Sequence, residues 1–152
     1  MIYKNILVAI DGSKIANIAL HEALKFCKKD PVVNLRLLYI LDAEFANWSM
    51  QPICPKDIVD SMRESGLELL KETKEAVLAA GVKNVETKII ELKTKKTRVA
   101  DEIQKEALTW PADLIVLGTH GRRGFSEVVL GSVAIGVVKI STKPVLLVRG
   151  HH

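Results

Sequence analysis

Two spacings of apolar residues alternate along the chain. Asn5 to Ile10 is an almost unbroken apolar run, which predicts a strand buried on both faces. After Asp11-Gly12-Ser13, apolar residues recur at Ala16, Ala19, Leu20, Ala23, Leu24 and Cys27. That spacing predicts one face of a helix, capped by Ser13 or Asp11 and closed by Lys28-Lys29-Asp30-Pro31. A second strand is expected over Leu35 to Leu41. Asp42 to Pro55 has no clear period; its Phe45, Trp48 and Met50 read as a plug in the core or as cover over a ligand.

Asp57 to Ala80 predicts a long helix burying Leu69, Thr73, Ala76, Val77 and Ala80, weakened by Gly66 and ended by Gly81. Val85 to Glu91 is the most polar strand candidate, which suits a sheet edge. Lys93 to Arg98 is basic, and reads as a solvated loop or as a positive rim near phosphates. A third helix is expected over Arg98 to Thr109, with Val99, Ile103 and Ala107 stacked and Trp110-Pro111 as its stop. Strand Asp113 to Leu117, a glycine-rich loop, helix Val133 to Ile140 and strand Pro144 to Val148 complete the chain. Strands alternating with helices predict an α/β domain over residues 1–150, its parallel sheet covered on both faces. Ligands in such sheets bind at the carboxyl ends of strands, where strand order reverses. Asp11-Gly12-Ser13 and the glycine loop both follow strands, and they meet at one place if the first and fourth strands are neighbours.

Composition narrows the picture modestly. The 152 residues carry a net charge of only +4, and aromatics are 5%, so a nucleic-acid partner is not expected. Cys27 and Cys54 have no metal-ligand or redox spacing, and Cys27 falls on the buried helix face. No apolar run approaches the roughly 18 residues of a membrane span. A cytoplasmic protein with no membrane partner is the expectation, and His151-His152 read as a tag remnant.

The candidate chemistry lies in Gly118-Thr119-His120-Gly121-Arg122-Arg123-Gly124-Phe125, continued by Gly131-Ser132-Val133-Ala134. Glycines let backbone approach a ligand, and free N–H groups at a helix start carry partial positive charge. With Arg122 and Arg123 they predict a seat for phosphate; the competing reading is a simple tight turn. The spacing fits neither the P-loop nor the dinucleotide fingerprint. Asp11 reads equally as a helix cap and as a ligand contact. His120 reads first as a hydrogen-bonded loop residue, and His21 as a surface residue. No catalytic residue and no protein metal site is identified.

The pattern Gly118-x2-Gly121-x9-Gly131-Ser132 resembles the nucleotide-binding signature of the universal stress protein family. Ile6 to Ser13, Asp113 to Gly124, Gly131 to Ala134 and Pro144 to Arg149 resemble the family's opening strand, fourth strand and loop, closing helix and last strand. The resemblance implies a Rossmann-like, adenine nucleotide hydrolase-like sheet of order 3-2-1-4-5. It implies ATP, or AMP or ADP, with Mg²⁺ held through the phosphates, and a homodimer acting in stress physiology. By that resemblance Asp11 meets ribose or the metal-phosphate region, and Ile40 and Leu41 meet adenine largely through backbone. Gly118, Gly121, Arg122, Gly131, Ser132 and Val133 hold ribose and phosphates, with Ala9, Ser13 and Gly124 also in the nucleotide site. One departure is the turn Lys95 to Val99, where relatives often carry glycine-proline. In the implied order the last strand is an apolar edge, Val145 to Val148, suited to pairing between two copies. Hydrolysis is expected to be slow or absent, because Glu127 is the one acid in the loop and Asp11 is taken as the only acid at the facing strand end. The rival readings are an adenylyl-transferring or ATP-hydrolysing enzyme on a related fold, and a nucleotide-free structural or chaperone-like dimer.

Overall fold

The computed structural model describes residues 2–42, 55–92, 96–120 and 130–150. In chain order these form β1 (Asn5–Ala9), α1 (Lys14–Lys29), β2 (Asn34–Asp42), α2 (Pro55–Ala79) and β3 (Val85–Leu92). They continue as α3 (Val99–Thr109), β4 (Leu114–Gly118), α4 (Ser132–Ile140) and β5 (Val145–Val148). The five strands make one sheet of order β3-β2-β1-β4-β5, and every neighbouring pair is parallel. The chain thus runs outward from β1 to one edge, then restarts on the other side at β4. The strand-order reversal lies between β1 and β4.

Period-two alternation gives each central strand two buried faces. Ile6 and Val8 of β1 join Leu35 and Leu37 of β2 in a core with α1 and α2. Leu7 and Leu38 face the other way, into a core with α3 and α4. All six predicted positions of α1 are buried. Helices α3 and α4 touch closely, since a Cβ added at Gly136 would lie 2.7 Å from Ala100 Cβ.

Helix α2 is rotated from its predicted face. Gly66, Leu70 and Val77 are buried, Leu69 and Thr73 are half-buried, and Ala76 and Ala80 are exposed. Alanine spacing misleads here because alanine suits a helix surface as well as a core. Gly66 is the close-approach point rather than a defect: a Cβ there would sit 2.6 Å from Tyr39 Cε1. Gly81 takes the left-handed conformation expected just past a helix, with φ +97°. The polar strand β3 lies at the sheet edge, tied to α2 where Arg63 bonds Glu91 (2.6 Å) and Asp60 (2.9 Å). Near the amino end of β2, Arg36 pairs with Glu106 and with Glu86 (3.1 Å) and stacks over the Trp110 ring (4.7 Å). This cluster braces α3 against the edge strand, away from the carboxyl ends where the loops gather.

Candidate functional site

A cavity of about 500 Å³ opens at the carboxyl edge of the sheet, a volume typical of small-molecule sites. It spans the reversal between β1 and β4. The ends of β1, β2 and β4 form its floor, and the first turns of α3 and α4 form part of its wall.

The β1 end supplies Ala9 and Asp11. Gly12 follows with φ +84°, a conformation that glycine adopts without strain. The turn brings Asp11 Oδ1 under Ser13 N, which donates to it (2.8 Å). The Ser13 hydroxyl then accepts from Ala16 N (3.1 Å), capping α1. Ser13 is turned to its own helix and does not line the cavity, whereas Asp11 caps the turn and lines it.

The β2 end supplies Leu38, Tyr39, Ile40 and Asp42. The Leu41 side chain is fully buried in the core beneath α1 and α2 and does not line the cavity. Asp42 corrects the expectation that Asp11 is the only acid at this edge, since both carboxylate residues line the cavity. The signal was available in the sequence. Ile40 and Asp42 are two apart, so a strand reaching residue 42 presents both on one face.

The β4 end supplies Gly118, Thr119 and His120. Gly118 is needed for space: a Cβ there would lie 2.6 Å from Ile15 Cγ2 and 3.2 Å from His120 O. The crowding comes from α1, so this glycine seats the first helix against β4. Thr119 continues the pairing, donating from N to Val148 O (2.9 Å) and accepting at O from Gly131 N (2.7 Å). Thr119 and His120 are buried, and the Thr119 hydroxyl lies 3.1 Å from His120 Nδ1.

Helix α4 begins beyond Gly131, and Gly131, Ser132, Val133 and Ala134 all line the cavity. The helical ladder opens with Ile135 N donating to Gly131 O (3.0 Å). Amides ahead of that bond, on Ser132, Val133 and Ala134, are the first-turn donors that a helix cannot satisfy internally. Among the described residues no side chain caps them. They form a preorganised patch of positive potential at the cavity wall.

The turn before α3 contributes Thr97, Arg98 and Val99, from a basic stretch that reads in sequence as a solvated loop or as a positive rim near phosphates. Lys96 is exposed, as a solvated loop would be, yet Arg98 lines the cavity and bonds Asp101. The Arg98 hydrogen bond holds the Asp101 carboxyl below its usual range. Far from the site, burial pushes the Cys27 thiol up to about 11. Gly121, Arg122, Arg123, Gly124 and Glu127 lie outside the described residues, as do Phe45, Trp48 and Met50. Among the described residues no group of three or more His, Cys, Asp or Glu could hold a metal ion. None of their helices is long and apolar enough to cross a membrane.

Comparison with known proteins gives a consistent result. The model of the universal stress protein family matches residues 2–149. A universal stress protein homologue of Staphylococcus epidermidis is 31% identical over 147 residues, covering 97% of this chain and 84% of its own length. Among solved structures, UspA of Lactobacillus plantarum superposes with a TM-score of 0.80 at 25% identity, covering 98% of this chain and 99% of that one. A universal stress protein of Archaeoglobus fulgidus, in complex with dAMP, superposes at 0.64 with 23% identity, covering 97% and 99%.

Proposed function

The chain belongs to the universal stress protein family, and from that premise we propose that it binds an adenine nucleotide, ATP or its mono- or diphosphate, at the carboxyl edge of the sheet. One observation carries the reading. The uncapped start of α4 opens on a nucleotide-sized cavity at the strand-order reversal, where an α/β sheet takes its ligands. Ser132, Val133 and Gly131 then hold phosphate, Ala9 and Ile40 border the base, and Asp11 serves ribose. Gly121, Arg122 and Gly124 join the phosphate contacts on sequence grounds. The fold neighbour in complex with dAMP is in keeping with this ligand class. Mg²⁺ enters on the phosphates, as the family resemblance implies. Mass spectrometry of small molecules released from the purified, denatured protein tests the reading. An adenine nucleotide near one per chain is expected; a nucleotide-free protein that also fails to bind added ATP, ADP or AMP in calorimetry would end it.

The working form is a homodimer in a stress-response role, in the cytoplasm. Strand β5 is a sheet edge whose Val145, Leu146 and Leu147 are half-buried, while Ile135 and Val138 of the adjacent α4 are exposed. An apolar edge of this kind is suited to self-pairing. Sedimentation at micromolar concentration is expected to give a dimer, and Leu147→Lys a monomer.

Asp42 gives specific grounds for a second reading, an ATP-hydrolysing enzyme. It places a second carboxylate in the cavity, where a water facing the γ-phosphate needs a partner. Occupancy remains the output in the first reading. Phosphate release in single-turnover assays with Mg²⁺ at ~1 s⁻¹ or faster, abolished by Asp42→Asn, would favour the second.

A further inference from the structure

Arg98 stands at the start of α3, a helix whose first turn lies against α4. Thr97, Arg98 and Val99 line the same cavity as Ser132 and Val133. The guanidinium is bound along one edge. Its Nε donates to Asp101 Oδ2 (3.3 Å) and its Nη2 to Oδ1 (3.2 Å), while Arg98 N also donates to Oδ2 (3.0 Å). A guanidinium carries five donors in a rigid fork. Among the described residues, Nη1 donates to no partner. The pair is too exposed, at 65% and 38% of its side chains, to add much stability. Its physical effect is orientation: a flexible side chain becomes a fork of fixed direction at the cavity wall. The Arg98 hydrogen bond lowers the pKa of the Asp101 carboxyl, as expected of a charge-assisted contact.

We propose that Arg98 is a specificity-determining residue of this cavity, held by Asp101 along its Nε edge and offering its Nη1 edge to the phosphates of a bound nucleotide. The inference rests on the nucleotide reading above. The first-turn amides of α4 supply fixed partial charges, and Arg98 adds a full charge from the neighbouring helix. The site therefore prefers nucleotides to nucleosides by more than backbone donors alone provide. Asp101 acts through Arg98 and is a positioning residue.

Calorimetry with ATP and with adenosine, at one salt concentration, on wild type, Arg98→Ala, Arg98→Lys and Asp101→Asn tests the proposal. Arg98→Ala is expected to weaken ATP about tenfold or more while adenosine stays within about twofold. Arg98→Lys recovers part of the loss, because charge returns without the fork. Asp101→Asn weakens ATP a few-fold and leaves adenosine unchanged. Circular dichroism should find every variant folded, since Arg98 is exposed. Wild type that binds ATP, with Arg98→Ala binding it equally well, would remove Arg98 and leave the nucleotide site standing. Equal losses for ATP and adenosine would make the role structural and overturn the proposal. Wild type that binds neither ligand would sink the nucleotide reading, and Arg98 with it.

Discussion

Helices α1 and α4 both begin at the carboxyl edge of this sheet, and the protein treats their amino ends in opposite ways. At α1 two amides are bound locally: Asp11 accepts from Ser13 N, and the Ser13 hydroxyl accepts from Ala16 N. At α4 the cap is Gly131, which has no side chain to offer, and the described residues supply no substitute. Both starts border the cavity, but α1 has a first-turn amide, Ala16 N, bound by its own cap, and α4 has none so bound among the described residues. The two helix dipoles are alike in kind, so their use is decided by one residue position each. A serine at the cap spends the charge on stability, and a glycine leaves it for a ligand. Helix α3 lies between these cases, with its start occupied by the Arg98–Asp101 pair.

The most direct way to break the contrast is to close α4 with its own carboxylate. Gly131 has φ −65° and ψ 158°, an extended conformation that aspartate adopts freely. Gly131→Asp should cap α4, keep the fold, and lower ATP affinity by about a hundredfold through lost donors and charge repulsion. Calorimetry with circular dichroism checks this, and unchanged affinity would detach α4 from phosphate binding. Gly118→Ala attacks the seat of α1 instead. The added carbon meets Ile15 at 2.6 Å and backbone at 3.2 Å, and should cost about 1–3 kcal/mol in urea unfolding. Ser13→Ala removes the α1 cap and should cost about 1 kcal/mol. It should leave ATP affinity within about twofold, because that donor was already spent. The smallest effect concerns α3. Asp101 has a folded pKa below its unfolded value, so its contribution is present above the unfolded carboxylate range. It is lost as pH falls through the folded value, and Asp101→Asn should therefore narrow the stability difference between neutral pH and acid by a barely measurable amount.

The strands and the α1 face were legible because unbroken apolar runs and 3.6-residue spacing report burial directly, whereas the strand order came from the family resemblance alone. All six α1 positions are buried, and the polar strand lies at the edge. The α2 face was not legible, because its outcome depends on Tyr39 filling the space beside Gly66, a contact between distant residues. At the cavity, Ala9, Asp11, Ile40, Gly118, Gly131, Ser132 and Val133 come together as the sequence suggests. Leu41 and Ser13 do not line it, because the Leu41 side chain is sunk in the core and the Ser13 hydroxyl caps α1. Asp42 escaped notice because it borders a segment without periodicity, and for the same reason the sequence left Arg98 open between a solvated loop and a rim near phosphates.

The central claim is that the uncapped start of α4 is the phosphate seat and the Ser13-capped start of α1 is not. Titrating ATP into ¹⁵N-labelled protein and following backbone amides tests it most directly. The account predicts saturable, large shifts at Ser132, Val133 and Ala134, with Ala16 moving least among the helix-start amides. Saturation with Ser132 to Ala134 unmoved, or the largest shift at Ala16, would contradict it.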